Sequence, residues 1–358
     1  MPKMSEARLA KYRAMDRSSF EFRDPTVTEW FQMAMAKGVR LTAAHGPRKY
    51  TGLFQAPHAD NADGLDIACL GVPMDINAMG TGGTRHGPQA IRHQSLIDVG
   101  PMHDVTENVP FMQCNIGDLG DVPFSKTSLE DRLDDIYKAV KAIADTGALP
   151  LILGGEHTAT YSTLKALSDY HDESLALIHF DAHADTLSSW DGDRVNDGSC
   201  LRYGVLDGSI DPEKVVQVGI RNSYSKLIWD FSYESGMTVI TGQEIHEKGS
   251  QYVIDKIREI CGTSKTFFTF DSDGLCASAM YGTTNPELFG LTAWQARDII
   301  LGCRGMDIIG ADYMEHNPNK DSSGYSTLVS TMMVFELLCL LADSREQQNG
   351  RKNPTLWP

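Results

Sequence analysis

Apolar, strand-like runs recur along the chain near residues 66–72, 112–116, 149–153, 174–180, 214–219, 237–241, 265–270 and 306–312, and helical patterns separate most of them. Eight strands alternating with helices predict a largely parallel sheet. The clearest helical stripe carries Leu129, Leu133, Ile136, Val140 and Ile143 on one face. It is opened by a capping box, Thr127-Ser128-Leu129-Glu130, and stopped at Gly147. A second box at Thr292-Ala293-Trp294-Gln295 starts another helix. The last helix, from about Ser326 to Asp343, is apolar on more than one side through Met332, Val334, Phe335, Leu337, Leu338 and Leu341, so it is expected to be buried.

Residues 1–64 read as an amino-terminal helical arm, with helical patterns at 5–15 and 27–38 and a polar, turn-rich stretch from Pro57 to Gly64. Trp30, Phe31 and Met33 on that arm are expected to pack on the parent domain or on a neighbouring subunit. No linker of low complexity divides the rest of the chain, so residues 65–346 read as one α/β domain, with 347–358 as a carboxy-terminal tail. The formal charge of -16 with no basic cluster argues against a nucleic-acid partner and admits a cationic small molecule. The seven cysteines are scattered and never in a Cys-x-x-Cys arrangement, which suits a reducing cytoplasm rather than a disulfide framework or structural zinc. No export signal or membrane span is read in the sequence.

The chemistry collects at three strand ends. The run Leu175 to Phe180 leads into Asp181-Ala182-His183-Ala184-Asp185, where alternate positions share a face and three metal-binding side chains converge. Leu151-Ile152-Leu153 breaks at Gly154-Gly155 and delivers His157, and Phe267 to Phe270 ends in Asp271 and Asp273. Two imidazoles and four carboxylates exceed the needs of one ion. They predict two divalent ions about 3.5 Å apart sharing a hydroxide. Burying such a cluster without a cation would be costly, and the carboxyl ends of parallel strands are where ligands bind.

With Gly-Gly-Glu-His at 154–157, Asp-Ala-His-Ala-Asp at 181–185 and Phe-Asp-Ser-Asp-Gly at 270–274, the chain resembles the ureohydrolases, the arginase and agmatinase family. Gly71-Val72-Pro73-Met74-Asp75, Arg85 to Arg92 and Gly310 to Pro318 extend the resemblance over about 66–343. It implies an αβα sandwich of three layers with an eight-stranded mainly parallel sheet, hydrolysis of a guanidino C–N bond, and a trimer or hexamer, homo- or hetero-oligomeric. It also implies that one metal is held by His157, Asp181, Asp185 and Asp271 and the other by Asp181, His183, Asp271 and Asp273. Glu315 matches the carboxylate that receives the guanidinium, and Asp185 is placed to accept a proton and pass it to the departing amine.

Two departures bear on the substrate. The loop after the last ligand strand reads Tyr281-Gly282-Thr283-Thr284-Asn285-Pro286 where the family carries a Pro- and Gly-rich loop, and Asp197 stands where a histidine is common. A carboxylate there accepts several N–H groups of a cation. The expected substrate is therefore compact and donor-rich, contacted by Glu315, Asp197, Asn196 and Asn285, with Asp185, Glu315 and Asp197 catalytic. The resemblance extends to guanidine and metformin hydrolases, some with a long amino-terminal arm and nickel; nickel and manganese both suit the ligands. Metformin-type biguanide hydrolysis is the leading expectation. Guanidine, or a longer substrate such as agmatine or guanidinobutyrate meeting Asp191, Asp193 or Asp197, is the alternative within the class. A non-catalytic partner subunit is the alternative outside it. His86, His179 and His316 lack partners at ligand spacing and read as supporting or packed histidines, and Cys200 and Cys276 near the mouth are not expected to be nucleophiles.

Overall fold

The computed structural model describes residues 5–15, 52–96, 102–189, 192–221 and 225–350. The chain divides into two compact units, residues 1–47 with 354–358 and residues 48–353. In the first, helix α1 (Glu6–Met15) is described and agrees with the pattern at 5–15. The helix expected at 27–38, with Trp30, Phe31 and Met33, lies outside the described residues.

The second unit is built on one sheet. Its strands are β1 (Ile67–Val72), β2 (Ile116–Asp121), β3 (Leu149–Gly154), β4 (Leu175–Phe180), β5 (Ile210–Ile220), β6 (Thr238–Thr241), β7 (Thr266–Asp271) and β8 (Ile308–Met314). They lie in the order β2-β1-β3-β8-β7-β4-β5-β6, and every pairing is parallel. The helices are α2 (Gly87–Ser95), α3 (Pro110–Gln113), α4 (Leu129–Asp145), α5 (Ala159–His171), α6 (Cys200–Leu206), α7 (Ser225–Ser235), α8 (Gly242–Cys261), α9 (Ala293–Gly302) and α10 (Tyr325–Gln348).

Successive strand side chains point to opposite faces, so the inner strands are apolar throughout and feed two cores. Leu151, Leu153, Ile178, Phe180, Phe268 and Phe270 pack with residues of α2, α8, α9 and α10. Ile152, Leu177, Phe267 and Ile309 pack with α4, α5 and α6 on the other side. The result is the expected three-layer αβα sandwich. By length and composition α10 could cross a membrane, but it is largely buried against β8, α2 and α9. Its buried acids hold the segment between α2 and β2: Glu336 Oε2 lies 2.7 Å from His103 Nε2, and Gln113 Nε2 donates to Glu346 Oε2 at 2.8 Å.

Four boundaries differ from the sequence reading. The strand expected at 112–116 begins at Ile116, because Pro110 opens the short helix α3. As an edge strand half open to solvent, β2 (Ile-Gly-Asp-Leu-Gly-Asp) lacks a long apolar run. At α4 the cap is Ser128, whose hydroxyl accepts from the backbone N–H of Asp131 rather than forming a box with Glu130; the box at Thr292 and Gln295 forms as expected. The arm boundary at 64 is also corrected. Leu53 and Phe54 are already in the core, and Leu53 N donates to Asp118 at 2.7 Å. At the other end α10 continues through Gln348, past the expected tail boundary.

Candidate metal centre

All six candidate ligands meet at the carboxyl ends of β3, β4 and β7, beside Glu315 at the end of β8. His157 Nδ1 lies 2.8 Å from Asp185 Oδ2, and 3.3 Å from Asp181 Oδ2 and from Asp271 Oδ2. His183 Nδ1 lies 3.1 Å from Asp273 Oδ2 and 3.3 Å from Asp181 Oδ1. Asp181 therefore turns one oxygen toward His157 and the other toward His183. Backbone amides aim the acids: His183 N donates to Asp181 Oδ1 at 2.6 Å, Ala182 N to Asp273 Oδ1 at 3.0 Å and Asp273 N to Asp271 Oδ1 at 2.8 Å.

The donor set fits divalent cations. His157 Nδ1 is buried without a well-formed hydrogen bond although three carboxylates face it. Burial and the adjacent carboxylates push Asp185 and Asp271 above the usual range. Cations among these oxygens would relieve that repulsion and satisfy the imidazole.

A second layer fixes the ligands. His157 Nε2 meets Thr269 Oγ1 at 2.8 Å. His179, expected as a supporting or packed histidine, supports a ligand: its Nε2 is 2.8 Å from Asp181 Oδ2. Gln217 Nε2 contacts His179 Nδ1 at 3.1 Å and donates to Ala184 O at 2.7 Å. That arrangement leaves the His179 proton on Nε2, donated to Asp181. His316 is packed, bonded to Gly282 O at 3.0 Å and Thr327 Oγ1 at 3.1 Å, whereas His86 is exposed.

A cavity of about 650 Å³ opens over the centre. His157, His183, Asp185, Asp271 and Asp273 reach it, and so do Glu315, Asp197 and Asn285; Asn196 is fully buried and does not line it. Among the alternative contacts, Asp193 is exposed and Asp191 lies outside the described residues. Glu315 Oε1 accepts from His157 N at 2.6 Å, and its Oε2 accepts from the Thr284 hydroxyl. Burial, and then the neighbouring Asp197 carboxylate, push Glu315 up to about 8. Asp197 accepts from Met79 N at 2.7 Å and Gly198 N at 2.9 Å, and burial pushes it up to about 6. Each Asp197 oxygen keeps a second lone pair for a donor in the cavity.

Two features escaped the sequence reading. Asp185 and Glu315 both adopt left-handed backbone, φ 52° and 63°, which side chains other than glycine seldom take. Arg221, just past β5, donates to the carbonyls of Asp273 at 2.7 Å, Leu275 and Glu287 at 3.1 Å, and Leu288 at 2.7 Å. It thereby ties the ligand loop of β7 to the cavity rim at Glu287. A charged residue at the carboxyl end of a strand was the available signal.

The profile of the arginase family matches residues 65–339. The chain is 36% identical over 309 residues to a guanidinopropionase of Pseudomonas aeruginosa, covering 85% of this chain and 96% of that protein. It is 34% identical over 290 residues to a mitochondrial guanidino acid hydrolase of Homo sapiens, covering 81% and 82%. The structure of proclavaminate amidino hydrolase from Streptomyces clavuligerus superposes with a TM-score of 0.79 at 28% identity, covering 84% of this chain and all of that one. The chain therefore belongs to the arginase family, as a binuclear-metal hydrolase acting on C–N bonds of guanidino compounds.

Proposed function

We propose that His157, Asp181, Asp185 and Asp271 hold one divalent ion and Asp181, His183, Asp271 and Asp273 the other, and that the substrate is a compact guanidino or biguanide cation. Ions bound there supply an activated water nucleophile at neutral pH. Glu315, fixed by His157 N and Thr284, is ionised by the approach of the cation itself, receives the guanidinium by charge-assisted hydrogen bonds and sets its carbon over the centre. Asp197 receives further N–H groups. Asp185 takes the proton of the attacking water and returns it to the departing amine.

The observation that carries this reading is the second buried carboxylate, Asp197, lining the same cavity as Glu315. Beside it the wall turns apolar, with Met79, Leu187 and Trp229. Met79 Sδ and Leu187 Cδ1 converge on Gly198, 3.0 and 2.9 Å from where a Cβ would stand. A cation-binding end next to an apolar wall suits an N-alkylated biguanide. The leading substrate is accordingly N,N-dimethylbiguanide (metformin), which with one water gives guanylurea and dimethylamine. One observation favours a second reading: Lys320 also lines the cavity and would pair with the carboxylate of a guanidino acid, the substrate type in the names of two relatives. Nickel and manganese both suit the ligands. A cytoplasmic, oligomeric enzyme completes the proposal; seven free cysteines support the reducing compartment.

The test is amine, ammonia and urea release by nickel- or manganese-loaded protein from metformin, guanidine, guanidinopropionate, guanidinobutyrate, agmatine and arginine, with Asp271→Ala as control. Dimethylamine from metformin is the expected result. Turnover confined to the guanidino acids would replace the biguanide reading with the Lys320 one. Turnover confined to agmatine or arginine would discard both.

A further inference from the structure

The short helix α6 begins beside the ligand Asp185 and grips it at two places. Leu201 N and Arg202 N donate to the Asp185 carbonyl at 3.2 and 3.4 Å. Cys200 Sγ, fully buried, lies 3.6 Å from Asp185 Oδ2 and 3.6 Å from the Asp197 carbonyl. These are ordinary distances for a thiol donor. Asp185 needs such support, because its left-handed backbone (φ 52°) is intrinsically unfavourable and its carboxylate projects among other acids.

We infer that Cys200 is a positioning residue for the metal centre: its single S–H is donated to Asp185 Oδ2 and holds that carboxylate toward His157. The inference rests on the metal assignment proposed above. A buried thiol can also be simple packing, and the two roles separate by chemistry. Packing depends on volume and apolarity, whereas positioning depends on a donor hydrogen. Serine keeps the donor, while alanine and valine remove it, valine with more of the volume retained.

The experiment is titration of manganese ion alone into chelator-stripped wild type, Cys200→Ser, Cys200→Ala and Cys200→Val, read by calorimetry, with the melting temperature of each apo-protein measured alongside. Loss of a group supporting a metal ligand typically weakens affinity about 10- to 100-fold. The expected result is a loss of at least about 10-fold in the alanine and valine variants and recovery of most of it in serine, regardless of how the apo melting temperatures order. Manganese affinity that is unchanged in alanine and valine, or that falls as far in serine as in alanine, would overturn the role of Cys200. Should alanine fail to fold, the valine–serine comparison decides the same question. Should the wild type not take up manganese, the same titration is run with nickel ion, and failure to bind either would instead overturn the metal assignment itself.

Discussion

The backbone N–H of His157 donates to Glu315 Oε1 at 2.6 Å, so the proposed substrate carboxylate is fixed by the main chain of a proposed metal ligand. Substrate position and metal position are thus mechanically joined. Glu315→Gln keeps the size of the side chain but removes the charge and one acceptor. Losing a charge-assisted hydrogen bond costs about 1.5–3 kcal/mol, and kcat/KM should fall about 10- to 150-fold. Metal content, measured by elemental analysis, should stay at the wild-type level; loss of metal in this variant would show that the carboxylate is structural.

Removing the ions should destabilise the fold. Ligand binding to the native state alone adds about 4 kcal/mol when the free ion is a thousandfold above its Kd. Thermal unfolding with and without chelator should therefore show a clear drop in Tm, reversed on adding manganese or nickel. Asp271→Ala should lower the metal-loaded Tm and abolish turnover while largely erasing the chelator effect.

The buried Arg92 meets the fully buried Asp118 through two hydrogen bonds of 2.9 Å each, and Asp118 also accepts from Leu53 N. Arg92→Ala leaves that carboxylate uncompensated. A cost of about 3–5 kcal/mol is expected in urea unfolding. A smaller loss in the Arg92→Met, Asp118→Leu double variant would show that the penalty comes from the stranded charge rather than from the lost pair.

Burial pushes His316 down from the ordinary histidine value of 6.5 to about 4, and its two hydrogen bonds suit a neutral ring. The folded pKa lies below the unfolded one, so the unfolded chain binds the proton more tightly. The stabilising contribution is complete above pH 6.5 and is lost as pH falls toward 4, by about 3 kcal/mol. His316→Gln should flatten the stability profile between pH 6.5 and 4 relative to wild type. Parallel profiles for the two proteins would reject the assignment.

The proposed ligands were legible because each group is local: Asp181, His183 and Asp185 sit within five residues behind one apolar run. The sheet was legible for the same reason, except at β2, whose exposed edge removes the apolar signal. The hidden features depend on distant partners. The tautomer of His179 is set only when β5 brings Gln217 alongside. Arg221 is defined by carbonyls more than fifty residues away in sequence. The left-handed backbone of Asp185 and Glu315 has no composition cue at all, because neither residue is a glycine.

The strand order has a consequence for how the protein is made. Among the described residues β8 is the last strand to leave the ribosome, yet it sits between β3 and β7 and is the only hydrogen-bonded strand link between the first three strands and the other four. His157 belongs to one side of that seam, and every other proposed ligand belongs to the other. Until residues 308–314 are synthesised and inserted, the growing chain holds two unjoined sheet fragments with exposed edges and an incomplete ion site. Closure of the sheet and completion of the proposed ion site are therefore expected to be late and coupled events in folding.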